Sequence, residues 1–258
     1  MIRLKTADEI ETIGRAGRIV SDTLAHVAKL ARPGVTTAAL DEAAEEFIRS
    51  HEGATPAFKG LYDFPGTLCT SLNQEVVHGI PSARRELAEG DVLSVDVGVK
   101  LEGLFADAAV TVPIGPQPPE TERLLEATRE GLAAGIEAAR VGATIGDVGA
   151  AIQRVVEARG YSIVRELVGH GVGHLPHEDP QVPNYGRSGS GPRICEGLVI
   201  AIEPMVNLGS REVRTLEDGW TVVTADGSLS AHFEHTVAVT AEGPRILTGA
   251  RPRVSIQE

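Results

Sequence analysis

Apolar residues recur at helical spacing early in the chain, at Ile10, Ile13, Ala16, Val20, Leu24, Val27 and Ala31. That period predicts an amphipathic helix. Thr6, with Glu9 three residues on, reads as the capping box that starts it, and Pro33-Gly34 ends it. A second helix is predicted from about Thr37, with Leu40, Ala44, Phe47 and Ile48 on one face. The segment from Pro56 to Pro81 is rich in Gly and Pro and reads as irregular. From Asp91 to Val112 the chain becomes apolar and β-branched, which predicts two strands joined by a turn near Lys100–Gly103. Pro113 to Pro119 reads as a linker.

The same order then begins again. A long helix is predicted from about Glu120 to Ala139, followed by a second carrying Ile145, Val148, Ile152 and Val155. The turns align without a gap: ARPGVTTAALDEAAEEFI from Ala31 against ARVGATIGDVGAAIQRVV from Ala139. Strands match as well. Gly90–Asp96 parallels Gly197–Glu203, and Ala106–Val110 parallels Phe233–Val237. The pattern is a duplicated helix-helix-strands unit. It predicts one domain over residues 1–258, with internal halves of about 1–115 and 116–258.

Each predicted strand of the first half carries a carboxylate where a sheet core calls for an apolar side chain: Asp96 in SVDVG and Asp107 in FADAAV. The repeat supplies Glu203 and Glu234 at the matching places. Buried carboxylates without cationic partners are costly, and clustered ones raise one another's pKa. Two divalent cations would cancel a formal charge of minus four, so the pattern favours a two-metal centre over a single ion.

Composition narrows the classes. The formal net charge of −12 disfavours non-specific binding to nucleic acid or to an anionic membrane, so neither DNA nor a membrane is an expected partner. No apolar run is long enough to span a bilayer, and MIRLKTADEIE lacks a signal-like apolar stretch, so a cytoplasmic protein is expected. The two cysteines, Cys69 and Cys195, lie far apart and give no thiolate metal motif.

Of the eight histidines, three crowd into VGHGVGHLPHE, at His170, His174 and His177. The glycines around them argue against a helical two-His zinc site, and no HExxH is present. His26 and His51 are expected at the surface.

The motifs EVVHGIP (Glu75–Pro81), SVDVG, GLFAD, GHGVGHLPHEDP (Gly169–Pro180), AIEPM (Ala201–Met205) and DGWTVVTADGSLSAHFEHT (Asp218–Thr236) closely resemble those of type I methionine aminopeptidases. The resemblance covers nearly the whole chain. It implies an α+β pita-bread fold, in which a pseudo-twofold pair of helix-helix-strands units forms a curved, mainly antiparallel sheet with outer helices. It implies five ligands to two divalent ions: Asp96, Asp107, His170, Glu203 and Glu234, with Asp107 and Glu234 bridging. The mostly oxygen donor set suits Mn²⁺, Fe²⁺ or Co²⁺ at least as well as Zn²⁺.

The implied reaction is removal of the initiator methionine from nascent chains whose second residue is small. A water between the ions, with a lowered pKa, attacks the first peptide carbonyl. Glu203 shuttles the proton, and His78 and His177 contact the substrate and stabilise the oxyanion. Phe64, Cys69 and Trp220 match the wall of the methionine pocket, with His78 at its rim. Leu61 stands where some members carry Tyr, and Pro176 where they carry an aromatic residue. His174, His232 and His235 match no ligand position. The short connection between His170 and Glu203 leaves no room for the helical insertion of type II enzymes, and no N-terminal zinc-binding extension is present, so the compact bacterial form is implied. A ribosome contact follows from the role, and a monomer is the default expectation.

Two rival readings stand beside this one. An X-Pro aminopeptidase or prolidase shares the fold but usually carries a further N-terminal domain. A non-catalytic pita-bread module loses metal ligands, whereas all five positions are filled here.

Overall fold

The computed structural model describes residues 1–249; residues 250–258, the end of the expected domain, lie outside the described residues. The first half runs α1 (Ala7–Leu30), α2 (Thr37–Arg49), β1 (Ala54–Pro56), β2 (Leu68–Leu72), β3 (Glu75–Val77), β4 (Val92–Leu101) and β5 (Leu104–Pro113). The second runs α3 (Pro119–Ala138), α4 (Ile145–Ala158), β6 (Ser162–Ile163), β7 (Gly169–Gly171), β8 (Glu178–Val182), β9 (Val199–Ile202) and β10 (Met205–Asn207). It ends with β11 (Val213–Thr215), β12 (Val222–Thr224), β13 (Ser230–His232), β14 (His235–Thr240) and β15 (Gly243–Ile246). Every pairing among these strands is antiparallel.

The capping box at Thr6 and Glu9 starts α1 as its sequence predicts. The segment expected to be irregular is a correction: it holds the end of β1 together with β2 and β3, besides a 3-10 turn at Leu61–Asp63. In α4 it is Val156, not the expected Val155, that is buried. His26 and His51 are half-buried and flank the Phe47 ring, with centroids 5.0 and 5.1 Å from it.

The duplication extends to backbone bonds. Gly34 N–H donates to the Leu87 carbonyl (2.8 Å) and Leu87 N–H to that of Val35 (2.9 Å). Gly142 N–H donates to Ile194 (2.9 Å) and Ile194 N–H to Ala143 (2.8 Å). The N-cap threonines Thr36 and Thr144 then make equivalent bridges, to Glu86 and Arg193. Both turns need a left-handed residue, with φ of 85° at Gly34 and 90° at Gly142, which glycine adopts without a Cβ clash.

The core follows the same division. One apolar cluster joins Ile13, Val20, Leu40 and Ile48 to Val95 and Val97. The other joins Leu124, Ile136, Val148 and Ile152 to Ile200, Ile202 and Val237. Period-2 alternation along β4 sends Leu93, Val95, Val97 and Val99 into the first cluster. Ser94, Asp96 and Gly98 therefore face the other way. In the register of β4 with β5, Asp96 opposes Ala109 and Gly98 opposes Asp107, so the two acids are diagonal neighbours on that second face.

Close packing of α1 depends on Gly17, where an added Cβ would meet the Leu247 carbonyl oxygen at 2.4 Å. That neighbour is backbone and cannot swing aside. Gly17→Ala is expected to cost about 1–3 kcal/mol through overpacking, despite the better helix propensity of Ala. Urea unfolding monitored by circular dichroism checks this; equal or greater stability of the variant would contradict the packing described.

Candidate metal centre and substrate pocket

Four carboxylates reach the centre from four places in the fold. Asp96 comes from β4 and Asp107 from β5. Glu203 follows the end of β9, and Glu234 sits between β13 and β14. His170, on β7, is paired with Ala201 of β9. All five predicted ligand positions line one cavity of about 280 Å³. Donor atoms of Asp107, His170 and Glu234 lie within 4.8 Å of one another. His170 Nε2 is 3.4 Å from Glu203 Oε1 and 3.6 Å from Asp107 Oδ2.

Local hydrogen bonds aim these groups. His170 Nδ1 lies 3.0 Å from the Gly171 carbonyl oxygen. A carbonyl can only accept, so Nδ1 carries the proton and Nε2 keeps its lone pair for a cation. The Glu234 N–H donates to the Ala109 carbonyl (3.0 Å). Asp107 is fixed by Thr236: the Asp107 N–H donates to Thr236 Oγ1 (3.1 Å), which lies 3.0 Å from Asp107 Oδ1. These bonds tie the strand hairpin of the first half to the strands of the second.

Asp107 and Glu234 are each only 3% exposed, and among the described residues no Lys or Arg lines the cavity. Burial, opposed by His232 and reinforced by Asp107, pushes the Asp96 carboxyl up to about 8. Burial raises Glu203 to about 8 as well, with His170 opposing and Asp107 reinforcing. Glu234 is driven well above the carboxylate range by burial and then by Asp107 and Asp96. Asp96 Oδ1 is buried without a hydrogen-bond partner among the described residues. Oxygen donors, one oriented imidazole nitrogen and an orphaned carboxylate oxygen fit a divalent cation.

Two further predicted histidines border the cavity. His177 lies next to His170, with ring centroids 4.5 Å apart in a T-shaped contact. His78 holds a left-handed backbone with φ of 60°, uncommon outside glycine. Desolvation, then His232, pushes His78 down to about 4. Although His177 stands exposed at the mouth, desolvation and then His170 lower it to about 4 too.

The apolar end of the cavity contains the predicted Phe64, Cys69 and Trp220. Phe64 and Trp220 meet edge-on at 5.1 Å, and Trp220 meets His78 edge-on at 6.3 Å. The Cys69 thiol is driven well above its usual range by burial and by Asp96, which opposes it across the β2–β4 ladder. It is a neutral wall and not a nucleophile.

Sequence reasoning missed several residues. Phe58, Leu167, Val168 and Met205 also line the cavity. Leu61 lines it without an aromatic ring, but Tyr62 beside it stacks near His177, with centroids 6.3 Å apart. His235 turns away, with Nδ1 3.0 Å from the Thr248 hydroxyl. His232, which matches no ligand position, is buried; its Nε2 has no hydrogen-bond partner among the described residues and lies 3.6 Å from Glu203 Oε2. Its place two residues before Glu234 was the available signal.

These raised carboxyls have a consequence with a definite sign. Near neutral pH the folded site holds protons that the unfolded chain has lost. Their stabilising contribution is full below the unfolded value of about 4, declines as pH rises, and is gone above about 8. A cation entering near pH 7 must displace those protons. Calorimetric heats of Mn²⁺ binding should therefore depend on the buffer's ionisation enthalpy, and affinity should climb as pH approaches about 8. An affinity that stays flat across that window would contradict this account.

Comparison with known proteins agrees with this geometry. The sequence model of metallopeptidase family M24 matches residues 11–241. A methionine aminopeptidase of Clostridium perfringens is 53% identical over 248 residues, which is 96% of this chain and 99% of that protein. Methionine aminopeptidase 1 of Bacillus subtilis is 50% identical over 248 residues, with the same coverage of 96% and 99%. The crystal structure of a methionine aminopeptidase from Thermotoga maritima matches with a TM-score of 0.95 at 44% identity, covering 97% of this chain and 100% of that one. A buried acidic centre inside a duplicated fold, matched over nearly its whole length, places this chain in metallopeptidase family M24, among the compact bacterial type I methionine aminopeptidases.

Proposed function

We propose that the chain removes the N-terminal methionine of nascent proteins whose second residue is small, acting as one catalytic unit over residues 1–258 in the cytoplasm. The observation that carries this reading is the sharing of one cavity by the acidic cluster and an apolar pocket. Two divalent cations are the proposed cofactors. Asp96, Asp107 and Glu234 would hold one, and Asp107, His170, Glu203 and Glu234 the other. When bound, they supply a polarised water, a Lewis acid for the carbonyl and an anchor for the free α-amine.

The chain's own residues do the rest. Glu203 takes the proton from the attacking water and delivers it to the leaving amine. His78 and His177, neutral above about pH 4, each have an N–H to donate to the developing oxyanion. Phe64, Trp220 and Cys69 surround the thioether with apolar surface and keep water from it. A monomer that meets its substrates at the ribosome completes the proposal.

The chelated protein, re-supplied separately with Mn²⁺, Fe²⁺, Co²⁺ or Zn²⁺, is expected to release Met from Met-Ala-Ser and to leave Ala-Pro peptides intact. Silence towards Met-Ala-Ser with every cation would sink the proposal. His177→Ala is expected to lower kcat by about 10²-fold or more while the metal content measured by mass spectrometry stays unchanged. Full turnover in that variant would remove His177 from the mechanism.

A further inference from the structure

The residue after His177 makes a contact that the mechanism above does not use. The Glu178 side chain is 4% exposed and that of Lys5 is fully buried, with Lys5 Nζ 2.6 Å from Glu178 Oε2. The other carboxylate oxygen, Oε1, accepts the backbone N–H groups of His174 (2.6 Å) and Leu175 (2.8 Å). Glu178 therefore closes a ring around residues 174–178, and His177 lies inside that ring. Lys5 is itself held: its N–H donates to the Gly197 carbonyl (2.7 Å), and its ammonium also donates to the Arg3 carbonyl (2.9 Å). The Lys5 stem lies over Gly173, where an added Cβ would meet Lys5 Cε at 2.3 Å. A second link joins the same segments, His174 Nε2 to Glu9 Oε1 at 2.8 Å. Glu9 is the residue that closes the α1 capping box.

At its start the loop is tied to β9 by the Val172 N–H, which donates to the Val199 carbonyl (3.1 Å). Residues 172–177 lie between β7 and β8, and the β7–β8 register shifts between His170 and Gly171. The remaining backbone bonds of Gly173 run from Phe105 N–H to its carbonyl (2.8 Å) and from its N–H to the Leu175 carbonyl (3.2 Å). A buried ion pair is a poor source of net stability compared with a packed apolar pair. Its directional bonds, however, fix a backbone that no ladder fixes.

We infer that Lys5 is a positioning residue for the reaction: through Glu178 it locks the 174–178 ring and so holds the His177 imidazole against His170. The α1 entry segment is then part of the active-site scaffold, although Lys5 does not line the cavity. This rests on the aminopeptidase reading only for what His177 does, not for what holds the loop.

The test is Lys5→Met, which keeps most of the apolar stem and removes the ammonium, made in the wild-type and His177→Ala backgrounds. With His177 present, kcat for Met-Ala-Ser is expected to fall on the order of 10–100-fold with little change in KM or metal content. With His177→Ala, the same change is expected to cost almost nothing more, because the double-mutant cycle removes the interaction once only. Exchange of the His174 and Leu175 amides should speed up in Lys5→Met. Should that variant not fold, Lys5→Met with Glu178→Gln leaves no charge unpaired and enters the same cycle with the same expectation. Equal losses in both backgrounds, an unchanged kcat, or unchanged amide exchange would overturn the inference. If wild-type protein leaves Met-Ala-Ser intact, the aminopeptidase reading falls, while the exchange arm still decides whether Lys5 holds the loop.

Discussion

Buried negative charge is the constraint on which the rest of this structure depends. Asp96, Asp107, Glu203 and Glu234 line a cavity that no Lys or Arg among the described residues lines. Desolvating each ionised carboxylate costs several kcal/mol, so the fold must supply either protons or cations to the site. A one-residue slip of β4 would not relieve the problem, because it would turn Val95, Val97 and Val99 out of the first apolar cluster and Asp96 into it. The two halves are joined at this point by Thr236 on Asp107 and Glu234 on Ala109, so the site is also a seam of the fold.

Much of this was legible in the sequence because the duplication repeats its own punctuation. Thr36 and Thr144 cap equivalent helices, and Gly34 and Gly142 make equivalent turns. Acids at Asp96 and Asp107 stood out because long strands, of ten residues each, give a clear period against which a carboxylate is anomalous. The same reasoning failed between Pro56 and Pro81, where β3 is three residues long and β2 five. Strands so short show no periodicity of their own, and their pairing with β4 and β12 is decided by tertiary contacts. The pocket wall was half visible for a related reason. Phe64, Cys69 and Trp220 came from resemblance, whereas Leu167, Val168 and Met205 enter from loops and strand ends that carry no chemical mark. Tyr62, 71% exposed and with φ of 51°, owes its place beside His177 to a local left-handed turn that nothing around it in the sequence announces. The Lys5–Glu178 pair spans 173 positions along the chain and could be recognised only once both ends were in place.

The histidines around the centre differ in a way that buried charge explains. His170 presents a lone pair because its other nitrogen faces a carbonyl. His78 and His177 take part in no such bond among the described residues; desolvation and neighbouring imidazoles hold both near 4. An imidazolium at either place would repel divalent cations across a low-dielectric cavity, at a cost that grows as the site dries. A neutral imidazole avoids that repulsion and still offers one N–H. The depressed values are therefore compatible with binding cations and stabilising an oxyanion in the same small space, as imidazolium would not be. The same argument extends to Cys69, where a thiolate opposite Asp96 would add negative charge to a cluster already resisting ionisation, and the neutral thiol adds only apolar surface. His78, His177 and Cys69 are thus held neutral around the acids.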